Sequence, residues 1–173
     1  MKLTVYTGEY KTGSNILVDQ NLNPGFETAG AGGDDVFANW DEFTPSSPGT
    51  DIVRDAVVFH GGAASCKLRN TVSASVYVEL ILTVVAQHVY RLSLWTKGSG
   101  SHSARFSIYD ADNAKDIVPA ARSCGVPQAA WTAFRYQFQA PPGCTQIYMS
   151  LHAPYAAGDV WVDDVSLIDQ TAI

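Results

Sequence analysis

A repeated alternation of apolar and polar side chains constrains the fold of this sequence most strongly. Apolar residues occupy every second position in the segments 90–97, 104–109, 134–139 and 147–151, and a β-branched and aromatic run covers 160–168. Successive side chains of a β-strand point to opposite faces, so each segment predicts a strand with one buried face.

Turn-forming residues separate these segments, and sustained helical periodicity is missing. The best helix candidate, residues 116–122, contains Pro119, which a helix interior does not tolerate. Many short strands with Gly, Pro, Asn and Asp between them are typical of sandwiches and jelly rolls. The predicted fold class is therefore all-β, a β-sandwich jelly roll of two antiparallel sheets.

The length of 173 residues corresponds to one domain with a substantial core. Residues 1–20 are polar and are predicted to be a leader or linker from a longer protein, whereas residues 21–173 are predicted to be the jelly-roll domain. The first residues lack the apolar stretch of a secretory signal. We therefore expect the domain to be extracellular as part of a larger secreted protein, or to be virion-associated.

The charge balance indicates an uncharged partner. The chain has 11 Lys and Arg residues against 17 Asp and Glu residues, for a formal net charge of −6. Proteins that bind nucleic acids or anionic membranes concentrate positive charge, so neither partner is expected. No apolar run approaches the roughly 20 residues that span a bilayer, so no membrane insertion is expected.

The three cysteines, Cys66, Cys124 and Cys144, form no C-x-x-C pair, which argues against a zinc cluster and against a disulfide framework. Two readings stay open for them. All three are free thiols, or Cys124 and Cys144 pair between loops.

Four segments, in order, carry a resemblance to a known family. They are residues 21–27 (Asn-Leu-Asn-Pro-Gly-Phe-Glu) with Trp40 beyond them, residues 60–68, residues 90–97, and residues 131–141 together with 161–167. This pattern resembles carbohydrate-binding modules of the family 4, 9 and 22 type. The resemblance implies a β-jelly-roll fold and sugar binding, although one fold serves many functions and the function must be argued from a site.

The same resemblance implies a structural calcium ion, a cation that prefers six to eight oxygen ligands. The implied ligands are the Gly25 carbonyl, Glu27, carbonyls near His60 and Ala63, and one of Asp163 or Asp164. The alternative is that these carboxylates only cap turns or accept backbone hydrogen bonds. Residues 110–116 resemble an EF-hand loop in part, but they lack its Gly and its distal Glu and are predicted to form a turn.

A sugar site needs aromatic faces beside planar hydrogen-bonding groups. The candidate ligand-binding residues are Tyr77, Glu79, Trp95, Tyr109, Arg135, Gln137, Gln139 and His152. We expect His152 to join the polar stripe of Arg135, Gln137 and Gln139. Each candidate has a structural alternative: cross-strand packing for Tyr77 and Tyr109, packing under a loop for Trp95, and a solvated strand face for the stripe.

No catalytic motif appears, and paired carboxylates within strands are few, so we predict no enzymatic activity. The leading hypothesis is a polysaccharide-binding module that takes glycans such as xylan or β-glucan in a cleft on one sheet. It would be appended to a glycoside hydrolase or to a phage structural protein. The competing hypothesis is a structural or adhesion domain of a phage tail or surface protein with no sugar affinity.

Overall fold

The computed structural model describes residues 13–44, 48–71, 75–99 and 101–171. Two single-turn helices lie in this part of the chain, α1 (Ile16–Asp19) and α2 (Pro48–Asp51). The strands are β1 (Ala29–Gly32), β2 (Asp35–Phe37), β3 (Asp41–Phe43), β4 (Ile52–Asp55), β5 (Ser65–Asn70), β6 (Tyr77–Thr83), β7 (Val89–Gly98), β8 (Arg105–Asp110), β9 (Lys115–Ser123), β10 (Thr132–Gln139), β11 (Gln146–His152) and β12 (Gly158–Asp169). No helix in the described ranges is long and apolar enough to cross a membrane.

Two antiparallel five-stranded sheets form the sandwich and confirm the predicted fold class. Sheet I has the strand order β10-β7-β12-β5-β4, and sheet II has the order β3-β6-β11-β8-β9. A separate hairpin pairs β1 with β2. Most neighbours within a sheet are distant in sequence, so the sheet order depends on long-range pairing that local patterns do not encode.

The alternation seen in the sequence places the core between the two sheets. In β7, Tyr90, Leu92 and Leu94 are buried while their neighbours are partly exposed, as predicted. Sheet II contributes the facing layer, which includes Leu80 of β6, Ile108 of β8, and Ile147, Met149 and Leu151 of β11. One face of each sheet is therefore closed, and the opposite faces are turned to solvent.

The described part of the predicted leader packs against the sandwich. Leu17 of α1 is fully buried, and Asn15 forms a bridge with Ile168 of β12. The Asn15 side chain caps α1 and also bonds the backbone of Val165 and Leu167. Residues 1–12 lie outside the described residues, so the leader as a whole stays a prediction.

Strand β9 explains why the segment 116–122 is not a helix. It is the last strand of sheet II and includes Pro119, a residue that sheets accept at an edge because no partner strand needs its missing N–H group. The three cysteines are free and buried, which resolves the open question of a bond between Cys124 and Cys144.

Candidate functional site

Three rows of side chains run across the outer face of sheet II, at right angles to its strands. The strand registers define them. The first row is Phe43, Tyr77, His152 and Arg105; the polar row is Asp41, Glu79, Ser150 and Ser107; the second aromatic row is Ile81, Tyr148 and Tyr109. Neighbouring rows are two residues apart along each strand, or about 6.7 Å.

Ring contacts organise the first row. Phe43 stacks on Tyr77 with ring centroids 4.6 Å apart, and Tyr77 contacts the His152 ring at 4.9 Å. The guanidinium of Arg105 lies 4.2 Å from the centroid of the Tyr155 ring, which is 57% exposed. This row is therefore a continuous series of contacting rings across neighbouring strands, and it ends in a cation.

Hydrogen bonds orient the polar row. Ser150 Oγ donates to Glu79 Oε2 at 2.6 Å. Ser107 Oγ lies 2.9 Å from Nε2 of His152 and so joins the polar row to the first row. The Glu79 carboxylate is held in place by its neighbour and remains partly exposed, so its other oxygen can accept hydrogen bonds from a bound molecule.

The second aromatic row lies on the other side of the polar row. The Tyr109 and Tyr148 rings stack at 6.1 Å with an interplanar angle of 15°. Ile81, beside Tyr148 on β6, is 45% exposed. The face thus has a polar strip flanked on both sides by ring-bearing rows, and this strip crosses four strands, a width of about 14 Å.

His152 is uncharged in this setting. Burial, together with the nearby positive charge of Arg105, lowers the pKa of His152 to about 4. A neutral imidazole presents one donor and one acceptor, which suits hydroxyl groups rather than an anion.

The structure brings together four of the predicted ligand-binding residues: Tyr77, Glu79, Tyr109 and His152 all lie on the outer face of sheet II. The prediction that one surface unites all eight candidates is wrong. Trp95 of β7 and the stripe of β10 lie on the outer face of sheet I.

The expectation that His152 joins Arg135, Gln137 and Gln139 is wrong for the same reason. These three residues point outward as predicted, but β10 is the edge strand of sheet I, whereas β11 is the central strand of sheet II. Alternation gives the side of a strand on which a residue lies, but it does not give the sheet to which the strand belongs.

One face of Trp95 packs against the loop that contains His60, in agreement with the structural alternative for it. Its indole stacks on the His60 ring with centroids 3.8 Å apart, and Trp131 contacts the same ring edge-on at 5.8 Å. Trp40 is also structural, because it is 3% exposed and donates from Nε1 to the Asn23 carbonyl.

Several members of the rows were not predicted. Tyr148 and Ser150 share their outward side of β11 with His152, so the alternation of residues 146–152 contained a signal for both. Phe43 and Asp41 come from a three-residue strand, which is too short to show a pattern. Their pairing with β6 is a purely tertiary result.

Two carboxylates converge on the loop 60–63, as the implied calcium site requires. A Cβ atom added at Gly25 would lie 3.7 Å from Glu27 Oε1 and 3.8 Å from Asp164 Oδ1. The same atom added at Gly61 would lie 2.7 Å from Asp164 Oδ2, and one at Gly62 would collide with Glu27 Oε1. Glycines therefore allow the backbone to approach both carboxylates closely.

The two adjacent aspartates have different surroundings. Asp163 is fully buried and accepts hydrogen bonds from the backbone N–H groups of His60 and Gly61, at 2.7 and 3.1 Å. Burial raises the pKa of Asp163, although those donors oppose the shift. Asp164 lies at an irregularity of β12, has a left-handed φ of 47°, and bonds the His60 ring at 2.7 Å.

The carboxylate and backbone oxygens of this region are ligands of the chemical type that calcium prefers. Glu27 and Asp164 supply carboxylates near the Gly25 backbone, and the backbone at His60 and Ala63 borders the same space. The turn-capping alternative is also visible, because both Glu27 oxygens accept the Ala63 N–H group, at 3.1 and 3.0 Å. Of the two aspartates, Asp164 is the one that could bind the ion, because Asp163 Oδ2 already accepts the backbone N–H groups of His60 and Gly61.

The segment 110–116 forms a turn, as predicted. Asp110 Oδ1 accepts the N–H groups of Asp112 and Asn113 at 3.1 and 3.0 Å. Asp112 Oδ2 accepts the backbone N–H of Thr145 at 2.6 Å. Asp110, Asp112 and Cys144 are close enough to surround an ion, but the two aspartate carboxylates already accept the hydrogen bonds of this turn.

Solved structures, rather than sequence matches, show which known proteins share the fold of this chain. No family model matches the chain, and no curated protein matches it. Among solved structures, a family 61 carbohydrate-binding module in complex with β-1,4-galactotriose is 18% identical, with a TM-score of 0.60 over 90% of this chain and 99% of that chain. The chain has the β-jelly-roll fold of carbohydrate-binding modules.

Two further structures show how widely this fold occurs. A family 22 xylan-binding domain from Paenibacillus barcinonensis is 16% identical, with a TM-score of 0.61 over 86% of this chain and 93% of that chain. The enzymatically active domain of tailspike protein 4 of bacteriophage CBA120 is 14% identical, with a TM-score of 0.55 over 76% of this chain and 19% of that chain. The resemblance stated from the sequence is thus confirmed at the level of the fold.

Proposed function

We propose that this protein is a non-catalytic module that binds polysaccharide chains on the outer face of sheet II. The observation that carries the proposal is the polar row of that face, flanked on both sides by ring-bearing rows. Sugar rings have apolar C–H faces and polar edges, so rings beside hydrogen-bonding groups complement them.

The groups of the polar row and the adjacent His152 of the first row are suited to a neutral glycan. Glu79 and Asp41 accept hydrogen bonds from hydroxyls, the serine hydroxyls donate or accept, and His152 is neutral at physiological pH. The rows continue across the sheet, which favours an internal stretch of a long chain such as xylan or β-glucan. The solved neighbours that are described as binding xylan or galactotriose support a sugar ligand of this kind.

Affinity electrophoresis in gels containing xylan, β-glucan or β-1,4-galactan tests the proposal. We expect at least one polysaccharide to retard the protein. Tyr77→Ala and Tyr109→Ala should each weaken binding roughly tenfold, about 1.4 kcal/mol, because buried aromatic anchors dominate most binding surfaces. Glu79→Gln should weaken it through loss of a charged acceptor.

The matched control is Phe59→Ala, which removes a 39% exposed ring from the loop between β4 and β5 of sheet I. It should leave retardation unchanged. Full affinity in both tyrosine variants would show that the binding site is not on the outer face of sheet II. Release of reducing sugars from the retarding polysaccharide would contradict a non-catalytic role.

We also propose that the Glu27–Asp164 loop region binds a structural calcium ion. Glu27, Asp164 and the backbone at Gly25, His60 and Ala63 would hold it, and the ion would offset the negative charge of the two carboxylates. The ion would be distant from sheet II and would stabilise the fold without contacting the sugar.

A structural domain of a phage particle is the second candidate, favoured by the similarity to a tailspike domain. It predicts no retardation by any polysaccharide of the panel. The same electrophoresis therefore separates the two functions. In either case we expect the module to act as part of a larger exported or virion-associated protein.

A further inference from the structure

We propose that the outer face of sheet I carries a second binding site, which takes an anionic saccharide in a cavity between β7 and β10. This inference goes beyond the sugar-binding function proposed for sheet II and does not depend on it. The cavity has a volume of about 290 Å³. The side chains used below that line it are Arg91, Ser93, Trp95, Ala133, Arg135 and Asp164.

Basic residues outnumber acidic ones on this face, which also carries the carboxylates of Asp55, Asp159 and Asp164. Although the chain has a net charge of −6, the outer face of sheet I holds five of its 11 Lys and Arg residues. They are Lys67, Arg69, Arg91, Lys97 and Arg135. Lys67 and Arg69 are neutralised by Asp159 at 2.8 and 2.9 Å. Arg135 lies on the edge strand β10 and makes no ion pair with Asp159.

The two arginines of the cavity are placed to act together. Arg135 lies opposite Ser93, and Arg91 lies opposite Gln137, so the arginines are diagonal neighbours on adjacent strands. Such diagonal neighbours are about 7 to 8 Å apart, with their Cβ atoms somewhat closer. Arg135 is exposed and has no hydrogen-bond or ion-pair partner within the described part of the chain. Two guanidinium groups at this spacing can grip one carboxylate or sulfate group.

Trp95 favours a saccharide over a small inorganic anion. Its partner across the strands is Ala133, which lines the same cavity with a small side chain, while His60 covers one face of the indole. From Arg91 to Trp95 the cavity follows β7 for about 13 Å, which is longer than a phosphate or sulfate ion. An indole at one end and arginines at the other match a sugar whose anionic group is carried on an adjacent ring.

The remaining groups complete this assignment. Ser93 borders the same cavity and can bond sugar hydroxyls, whereas the Asp164 carboxylate at its edge bonds the His60 ring and is assigned above to the proposed calcium ion. An anion alone would use only the arginines, whereas a sugar bearing both hydroxyls and an acidic group also uses Ser93 and Trp95. The two faces of the molecule are separated by the core, so each site is expected to bind without the other.

Titration calorimetry of the full chain tests the proposal with trigalacturonate and its fully methyl-esterified form, in which each carboxylate is replaced by an uncharged methyl ester. We expect trigalacturonate to bind and the ester to bind at least tenfold more weakly. Arg135→Gln should weaken trigalacturonate binding about tenfold, since it removes a charged hydrogen-bond donor. Lys115→Gln, which changes net charge equally on β9 of sheet II, should leave the affinity unchanged.

Further arms separate the possible outcomes. Tyr77→Ala should leave trigalacturonate binding intact, so its loss in that variant would assign the ligand to sheet II and overturn the proposal. Equal affinities for trigalacturonate and its methyl ester would also overturn the proposal. So would the absence of binding to both trigalacturonate and dextran sulfate. Binding of dextran sulfate but not dextran, lost in Arg135→Gln, would support the proposal with sulfate as the anionic group. Unchanged thermal melts of Arg135→Gln would show that the fold is intact.

Discussion

Individual residues of the sheet II face depend on neighbours from other strands. His152 is held by Ser107 of β8 and packs on Tyr77 of β6, and neither neighbour lies within 40 residues of it in the chain. Arg105 lies opposite His152 on β8, and its positive charge disfavours protonation of the imidazole. The imidazole is therefore a neutral hydrogen-bonding group, which is what a glycan hydroxyl requires.

The protonation of His152 should appear in the pH dependence of stability. Its pKa is about 4 in the folded chain against an ordinary 6.5, so the unfolded chain binds more protons between these values. Stability should therefore fall as the pH is lowered from 6.5 towards 4, by about 3 kcal/mol from this residue when complete. Urea unfolding at pH 4, 5, 6 and 7 measures it.

The control for this prediction is His152→Gln, which keeps a polar side chain but does not titrate. Carboxylates also titrate in this range, so the decisive quantity is the difference between the two proteins. The variant should lose less stability on acidification. Identical slopes for both proteins would show that the imidazole does not resist protonation.

At the scale of elements, the short helix α1 shows that the sandwich extends beyond its strands. Leu17 is fully buried although its helix has only four residues, which are too few to be stable alone. The Asn15 side chain, which caps α1, also bonds the backbone of β12 and so holds the helix against the sheet. The helix is thus stabilised by tertiary packing rather than by its own sequence.

Leu17→Ala tests whether this helix is part of the cooperative unit. We expect a loss of about 3 kcal/mol in the free energy of unfolding, because the substitution leaves a cavity in the core. The matched control is Val18→Ala at the adjacent position, which is 60% exposed and should change stability by less than about 0.5 kcal/mol. Equal stability of the two variants would mean that α1 is not part of that unit.

At the scale of the whole molecule, the Glu27–Asp164 region connects segments that are far apart in sequence. Glu27 precedes β1, the loop 60–63 connects β4 with β5, and Asp164 lies in the last strand. An ion bound there would join three parts of the chain at once. Since it would bind the folded chain only, its concentration would add to stability.

Chelation tests the proposed ion. With calcium at about 100 times its dissociation constant, the added stability is about 2.7 kcal/mol. This corresponds to a fall of about 5 to 10 °C in the melting temperature on addition of EGTA. Glu27→Gln or Asp164→Asn should abolish the calcium effect, whereas Asp116→Asn, on β9, should retain it. An unchanged midpoint with EGTA would exclude the ion.

The sequence by itself determined the strands and the side of each strand on which a residue lies. Alternation is a local property with a period of two, so β7, β8, β10 and β11 could be predicted with nearly their observed bounds. It also separated the buried Leu92 and Leu94 from the outward Trp95 and Arg135. The expectation that Glu27 lies close to Asp163 or Asp164 followed from the family resemblance.

Only the tertiary structure decided which outward residues share a surface. Tyr77 and His152 are 75 positions apart yet adjacent, whereas Trp95 and Arg135 lie on the opposite sheet, because strand order is set by long-range pairing and closure of one core. The irregularity in β12 likewise directs Asp164 to the loop and Asp163 to buried amides, which no local pattern distinguishes. Strand pairing thus divided one predicted site into two faces with different electrostatic character.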